Sequence, residues 1–172
     1  MANNLSQFEK DDTKAIVLRL INNLSMNIQN QKILQILIQP LIEIYLDKKH
    51  SKVIKLATIQ CLTNLSTLNE YHYYFVEDTS QLLDRFDEEQ DSSLKKGNLS
   101  VLVNLSSNNK YCHNFIHLPL PDCHNFITSE DYPDSTVQKK YFSFVNNILR
   151  NVERNLMEHC EEGTIGYCLL NN

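Results

Sequence analysis

Two five-residue segments carry the residue types that bind metals best: Cys112-His113-Asn114-Phe115-Ile116 and Cys123-His124-Asn125-Phe126-Ile127. Thiolate and imidazole are favoured zinc ligands. A protein using Cys112, His113, Cys123 and His124, with Cys160 as a further thiol, would be metal- or redox-responsive. Zinc, however, needs four ligands converging on a tetrahedron, usually from C-x2–4-C or H-x3–5-H spacings. Adjacent Cys-His residues on a helix point about 100° apart, and although His117 could add a ligand beside His113, no second thiol pair lies nearby in sequence. A local echo of two short core helices accounts for the pair better, so no metal ligand and no cofactor is assigned. Cys61, inside an apolar run, reads as a small core residue rather than a nucleophile.

A second kind of chemistry is hydrogen bonding repeated along the chain. Asn23, Asn64, Asn104 and Asn147 stand 41, 40 and 43 residues apart, each near the end of an apolar run. An asparagine amide offers two donors and an acceptor, so a ladder of them grips the backbone of an extended peptide without reading its sequence. One helical turn earlier stand Arg19, Gln60, Ser100 and Ser143, which flank the ladder on the same face. These eight residues are the candidate partner-binding set. The same amides are equally suited to bonding neighbouring backbone within the repeats, a structural role, and both readings stand. Asn146 competes with Asn147 for the alignment.

Other clusters read as structural. Tyr71, Tyr73, Tyr74 and Phe75, with His72 among them, form a recognition-type patch in composition, but their short helix should pack on the long one before it. The acidic run Asp84, Asp87, Glu88, Glu89 and Asp91 reads as a solvated inter-repeat face, and Lys139-Lys140 is its weak basic counterpart.

The elements that must position these residues are helices. Gly occurs three times and Pro four times in 172 residues, too few for the turns of a sandwich or barrel. Hydrophobic residues make up 42% and charged residues 22%, ordinary globular usage that excludes wholesale disorder. Counted from each ladder asparagine, position −5 is Leu18, Ile59, Leu99 and Phe142. Position −2 is Ile21, Leu62, Leu102 and Val145, and position +1 is Leu24, Leu65, Leu105 and Ile148. That three- and four-residue spacing puts one apolar stripe on each of four long helices. Thr13, Ser51, Ser92 or Ser93, and Ser135 are the expected N-caps. Shorter apolar pieces lie between, and Pro40 suits the first turn of one of them. Each repeat therefore reads as two short helices and one long one, which buries its apolar face only by stacking on its neighbours.

The net charge of −5 argues against nucleic acid or an anionic membrane surface as the main partner. Ile33 to Leu46 is the longest nearly apolar stretch, too short and too polar to span a bilayer. The opening MANNLSQFEKDDTK has no apolar core, so reduced thiols and a cytoplasmic location are expected for the five cysteines. The nucleus and the mitochondrial surface are the other compartments considered. Asn4, Asn23, Asn64, Asn98 and Asn104 all begin N-L-S triplets, but on such a chain these are not glycosylation sites.

A period near 40 with this helix pattern is that of armadillo repeats. The expected fold class is all-α, an armadillo-type α-solenoid of about three and a half repeats. Residues 1–12 are expected as a flexible segment, 13–157 as the repeat domain, and 158–172 as a tail or truncated further repeat. Within the superfamily, LATIQCLTNLSTLNEYHYYF (56–75), LSVLVNLSSNNKYCHNFI (99–116) and VQKKYFSFVNNILRNVERNL (137–156) resemble the armadillo domain of the mammalian X-linked armadillo-repeat proteins and their mitochondrial relatives. The resemblance implies a link to mitochondrial organisation or trafficking. Those relatives carry an anchor or targeting segment and further repeats with no counterpart here, so a shortened, soluble version or a fragment is expected. In nuclear-import armadillo proteins the matching asparagines are accompanied by tryptophans. This chain has no Trp, which argues against a nuclear-localisation-signal receptor.

No Gly-rich phosphate loop, nucleophile elbow or metal-ligand set is present, so no enzyme is expected. The leading expectation is a scaffold or adaptor that holds a protein, peptide or helix in its concave groove. The alternatives are a self-associating or larger-complex subunit docking through exposed solenoid ends, and the zinc- or redox-responsive protein described above.

Overall fold

The computed structural model describes residues 11–122, 124 and 135–171. Among these residues every regular element is helical, and an isolated antiparallel bridge between Pro119 and Thr164 is the extended pairing present. The all-α class expected from the sequence is the one observed. Contacts divide the chain into two compact units, Met1–Phe75 and Val76–Asn172.

In the first unit, the long helices α1 (Asp11–Ser25) and α4 (Lys52–Leu65) pack side by side. Between them in sequence come α2 (Ile28–Leu34), a 3-10 turn (Gln35–Leu37) and α3 (Ile38–Leu46). Asn27 starts α2 as its N-cap, accepting from the Gln29 amide at 2.8 Å. Pro40 sits in the first turn of α3, where its missing N–H costs nothing. Two faces of α4 are apolar, so it is buried against α1 on one side and α3 on the other. Cys61 lies in the first of these contacts and donates its S–H to the Leu18 carbonyl at 3.2 Å. Burial pushes that thiol up to about 12, so it stays protonated. A 3-10 helix (Asn69–Tyr74) closes the unit. It buries Tyr71 and His72, with Phe75 just beyond, and leaves Tyr73 half exposed.

In the second unit, a 3-10 turn (Val76–Asp78) leads to α5 (Thr79–Glu88) and the long α6 (Ser92–Ser106). A 3-10 helix (Cys112–Phe115) and the long α7 (Ser135–Asn151) follow, then the short α8 (Arg154–Met157) and α9 (Ile165–Asn171). Here α6 packs on α7 much as α1 packs on α4. Phe115 meets Phe144 edge to face at 5.1 Å, and Tyr141 lies parallel to Phe86 at 6.2 Å. Buried Asn98 ties α6 to α5 through the Leu82 carbonyl at 2.9 Å. Residues 158–171 fold back on the chain: Leu120 donates to the Gly163 carbonyl, and Ile165 and Gly166 donate to those of Leu118 and Ile116.

Three expectations need correction. The cap of α6 is Asp91, whose carboxylate accepts from the amides of Ser93 and Leu94, rather than Ser92 or Ser93. A carboxylate is charged as well as an acceptor, so it answers both the open amides and the positive end of the helix. The acidic run is also not simply a solvated face. Glu89 is buried, pairs with Arg85 at 2.8 Å, and accepts from the amides of Gln90 and Asp91. The other departure is at α1, which begins at Asp11 and so places Thr13 inside the helix.

Candidate functional site

The repeated N-L-S triplet is built for contact between long helices. In Asn23-Leu24-Ser25, Asn64-Leu65-Ser66 and Asn104-Leu105-Ser106, each serine is buried and turns its hydroxyl back on the carbonyl three residues earlier. Those bonds run from Ser25 to Asn22 (2.7 Å), Ser66 to Thr63 (2.9 Å) and Ser106 to Val103 (3.0 Å). At the Ser25 and Ser106 corners the next ladder asparagine then reaches back. Asn64 donates to the Asn22 carbonyl (3.3 Å) and to the Ser25 hydroxyl (3.0 Å). Asn147 repeats the arrangement in the second unit, on the Val103 carbonyl (3.0 Å) and the Ser106 hydroxyl (3.2 Å). Asn151 adds bonds to the carbonyls of Ser106 and Ser107. The amide nitrogens of Asn64 and Asn147 are thus committed to the preceding long helix.

Beside this clamp, α1 and α4 leave a groove of about 310 Å³ lined by Arg19, Lys52, Val53, Leu56, Ala57 and Gln60. It brings together Arg19 and Gln60, two of the flanking residues named from the sequence. Its apolar side comes from Val53, Leu56 and Ala57, and its lining charges, Arg19 and Lys52, are both positive. Arg19, Gln60 and Asn23 are exposed. Lys52, Val53, Leu56 and Ala57 were not among the candidate binding residues. Their signal was the start of α4, where Ala57 holds the position that Ile16 holds in α1 and so leaves room.

The remaining candidates lie in the second unit. Ser100 is half-buried and bonds the Lys96 carbonyl at 2.7 Å. Ser143 is exposed and bonds that of Lys139 at 2.9 Å. Asn104 is half-buried. The structure therefore joins the α1 and α4 candidates in one groove and does not gather Ser100 and Ser143 into it.

The Cys-His residues do not converge. Cys112 is buried, with its thiol raised by burial and directed to the Asn109 carbonyl, while His113 is exposed. The His124 ring bonds the Tyr141 hydroxyl at 2.7 Å, and burial lowers its pKa. Cys123 lies outside the described residues. Cys160 stands 3.8 Å from the His117 ring, and burial raises its thiol. Among the described residues, no group of three or more His, Cys, Asp or Glu is placed to hold a metal ion. Among them, too, no helix is long and apolar enough to cross a membrane.

Residues 1–157 match the armadillo-like family. No curated protein matches the chain in sequence. Solved structures similar to it include two engineered proteins from the Northeast Structural Genomics Consortium. One is 14% identical with a TM-score of 0.72, covering 91% of this chain and 64% of its own. The other is 16% identical, also with a TM-score of 0.72, covering 91% of this chain and 38% of its own. At such identities the likeness shows the fold alone.

Proposed function

Because the chain belongs to the armadillo-like family, an α-solenoid class generally used for protein–protein interaction, we propose that it is a non-enzymatic scaffold. Its α1–α4 groove holds an extended segment of another protein. The groove lined by Arg19, Lys52, Val53, Leu56, Ala57 and Gln60 carries this reading. Two cations beside an aliphatic wall suit a segment that places Asp or Glu next to an aliphatic residue. Gln60 supplies donors and an acceptor for the segment's backbone, and Asn23 extends that role along the same face of α1. Asn64 ties α4 to α1 and so sets the groove's geometry indirectly, while Asn147 ties α7 to α6 in the second unit. Ser100, Asn104 and Ser143 lie in the second unit and remain proposed partner-binding residues there, separate from this groove.

Selection from a random-peptide display library tests the reading. Wild-type protein should enrich acidic-aliphatic sequences that an Arg19→Glu variant of equal helical content does not. Equal enrichment by both proteins would overturn it. The link to mitochondrial organisation, and the cytoplasmic, nuclear or mitochondrial-surface location, rest on sequence resemblance and composition. Fractionation of cells expressing the full chain decides among them.

A further inference from the structure

Two apolar faces, one on α1 and one on α7, are left uncovered at positions that the other long helices bury. Relative to the ladder asparagine, positions −7, −3 and +1 of α4 are Ala57, Cys61 and Leu65, all buried, and Cys61 touches α1 through its bond to Leu18. At −3 and +1 of α6 and α7 stand Val101, Leu105, Phe144 and Ile148, also buried. In α1 the same positions are Ile16, Leu20 and Leu24, exposed to 65%, 58% and 42%. Positions −5 and +2 behave in the opposite sense. Leu18, Ile59 and Leu99 at −5 are buried, as are Ser25, Ser66 and Ser106 at +2. In α7 these positions are Phe142 and Leu149, exposed to 52% and 49%.

Each bare face is therefore the half of a helix–helix contact that the chain already makes within itself. Within each unit the −5/+2 side of the first long helix faces the second, as Leu18 receives Cys61 and Ser106 receives Asn147. We propose that a second copy of this chain supplies the missing half, with Phe142 and Leu149 of α7 docking head to tail on Ile16, Leu20 and Leu24 of α1. The contact continues an interface already present inside the molecule, and its two sides differ, so it is heterologous. The exposed amide of Asn23 stands where Asn64 stands in α4. In the docked pair it donates to the carbonyl of Asn146, as Asn147 donates to that of Val103. None of the docking residues lines the peptide groove, although Asn23, proposed to extend it, is engaged in the docked pair.

Sedimentation equilibrium of the full chain across a wide concentration range should show mass rising with concentration. Leu20→Glu and Leu149→Glu should each abolish the rise while leaving the helical circular dichroism unchanged, since both side chains lie at the surface. Mixing the two variants should restore a complex that stops at two chains, because each keeps the face that the other has lost. A chain that stays monomeric at every concentration overturns the proposal, as it would if another segment covers the α1 face. So does a mixture that remains monomeric, or association sensitive to only one of the substitutions, as a symmetric contact between like faces would give.

Discussion

Asn64 spends its amide nitrogen on three acceptors of α1: the Asn22 carbonyl, the Asn22 side-chain oxygen and the Ser25 hydroxyl. Replacing it with alanine leaves that corner without its donor, which should cost about 1–3 kcal/mol. Asn147→Ala should behave alike, whereas Asn23→Ala, at an exposed position, should shift stability by no more than about 0.5 kcal/mol. Urea unfolding of the three variants reads the difference. Protonation makes a second residue-level test. His72 is buried with its Nε2 2.7 Å from the Ser66 carbonyl, and burial holds this ring and that of His124 below the ordinary imidazole value of about 6.5. Above that value both rings are neutral folded or unfolded, and their contribution is fully present. Below it the unfolded chain takes up protons that the folded chain refuses, so stability falls as pH falls through the window down to the folded values. The urea midpoint should therefore be lower at about pH 5.5 than at about pH 7.5, and His72→Gln should reduce the difference.

At the scale of the element, capping decides where α6 begins. Asp91→Ala removes the acceptor for two amides and should cost about 1 kcal/mol, while Ser92→Ala should cost far less. Denaturant midpoints of the two variants separate these expectations. The C-terminal segment turns on Gly166, where an added Cβ would come 2.5 Å from the Cys160 sulfur and 2.9 Å from the Ile116 Cβ. Gly166→Ala should loosen the pairing of 163–166 with 116–120, seen as faster amide exchange there. The long helices were legible in the sequence because the −5, −2 and +1 stripe recurs in four copies at one spacing. The cap of α6 was misplaced because serine and aspartate compete within three residues and only the fold shows which side chain reaches the open amides. The serine of each N-L-S triplet was visible as a repeat, but its bond to an asparagine about 40 residues on exists only once two helices lie side by side. Arg19 and Gln60 were found through their register with the ladder. The rest of the groove wall depends on how far apart α1 and α4 lie, which no spacing in the sequence encodes.

For the molecule as a whole, repetition explains stability and places the proposed groove. A long helix with apolar residues on two sides must be covered on both, so one repeat is stable only beside another. The polar corner at Ser25 sets Asn64 as the residue of α4 that arrives there, and that at Ser106 sets Asn147 of α7. Between α1 and α4 the small Ala57 leaves a basic, aliphatic-walled space along that contact, and a scaffold needs no more chemistry than this. Another protein is proposed to bind in this space. Hydrogen–deuterium exchange of the full chain, with and without a peptide selected by wild type over Arg19→Glu, tests it most directly. The expected outcome is slowed exchange confined to the segments around Arg19–Asn23 and Lys52–Gln60. Slowed exchange elsewhere with these segments unchanged would contradict it.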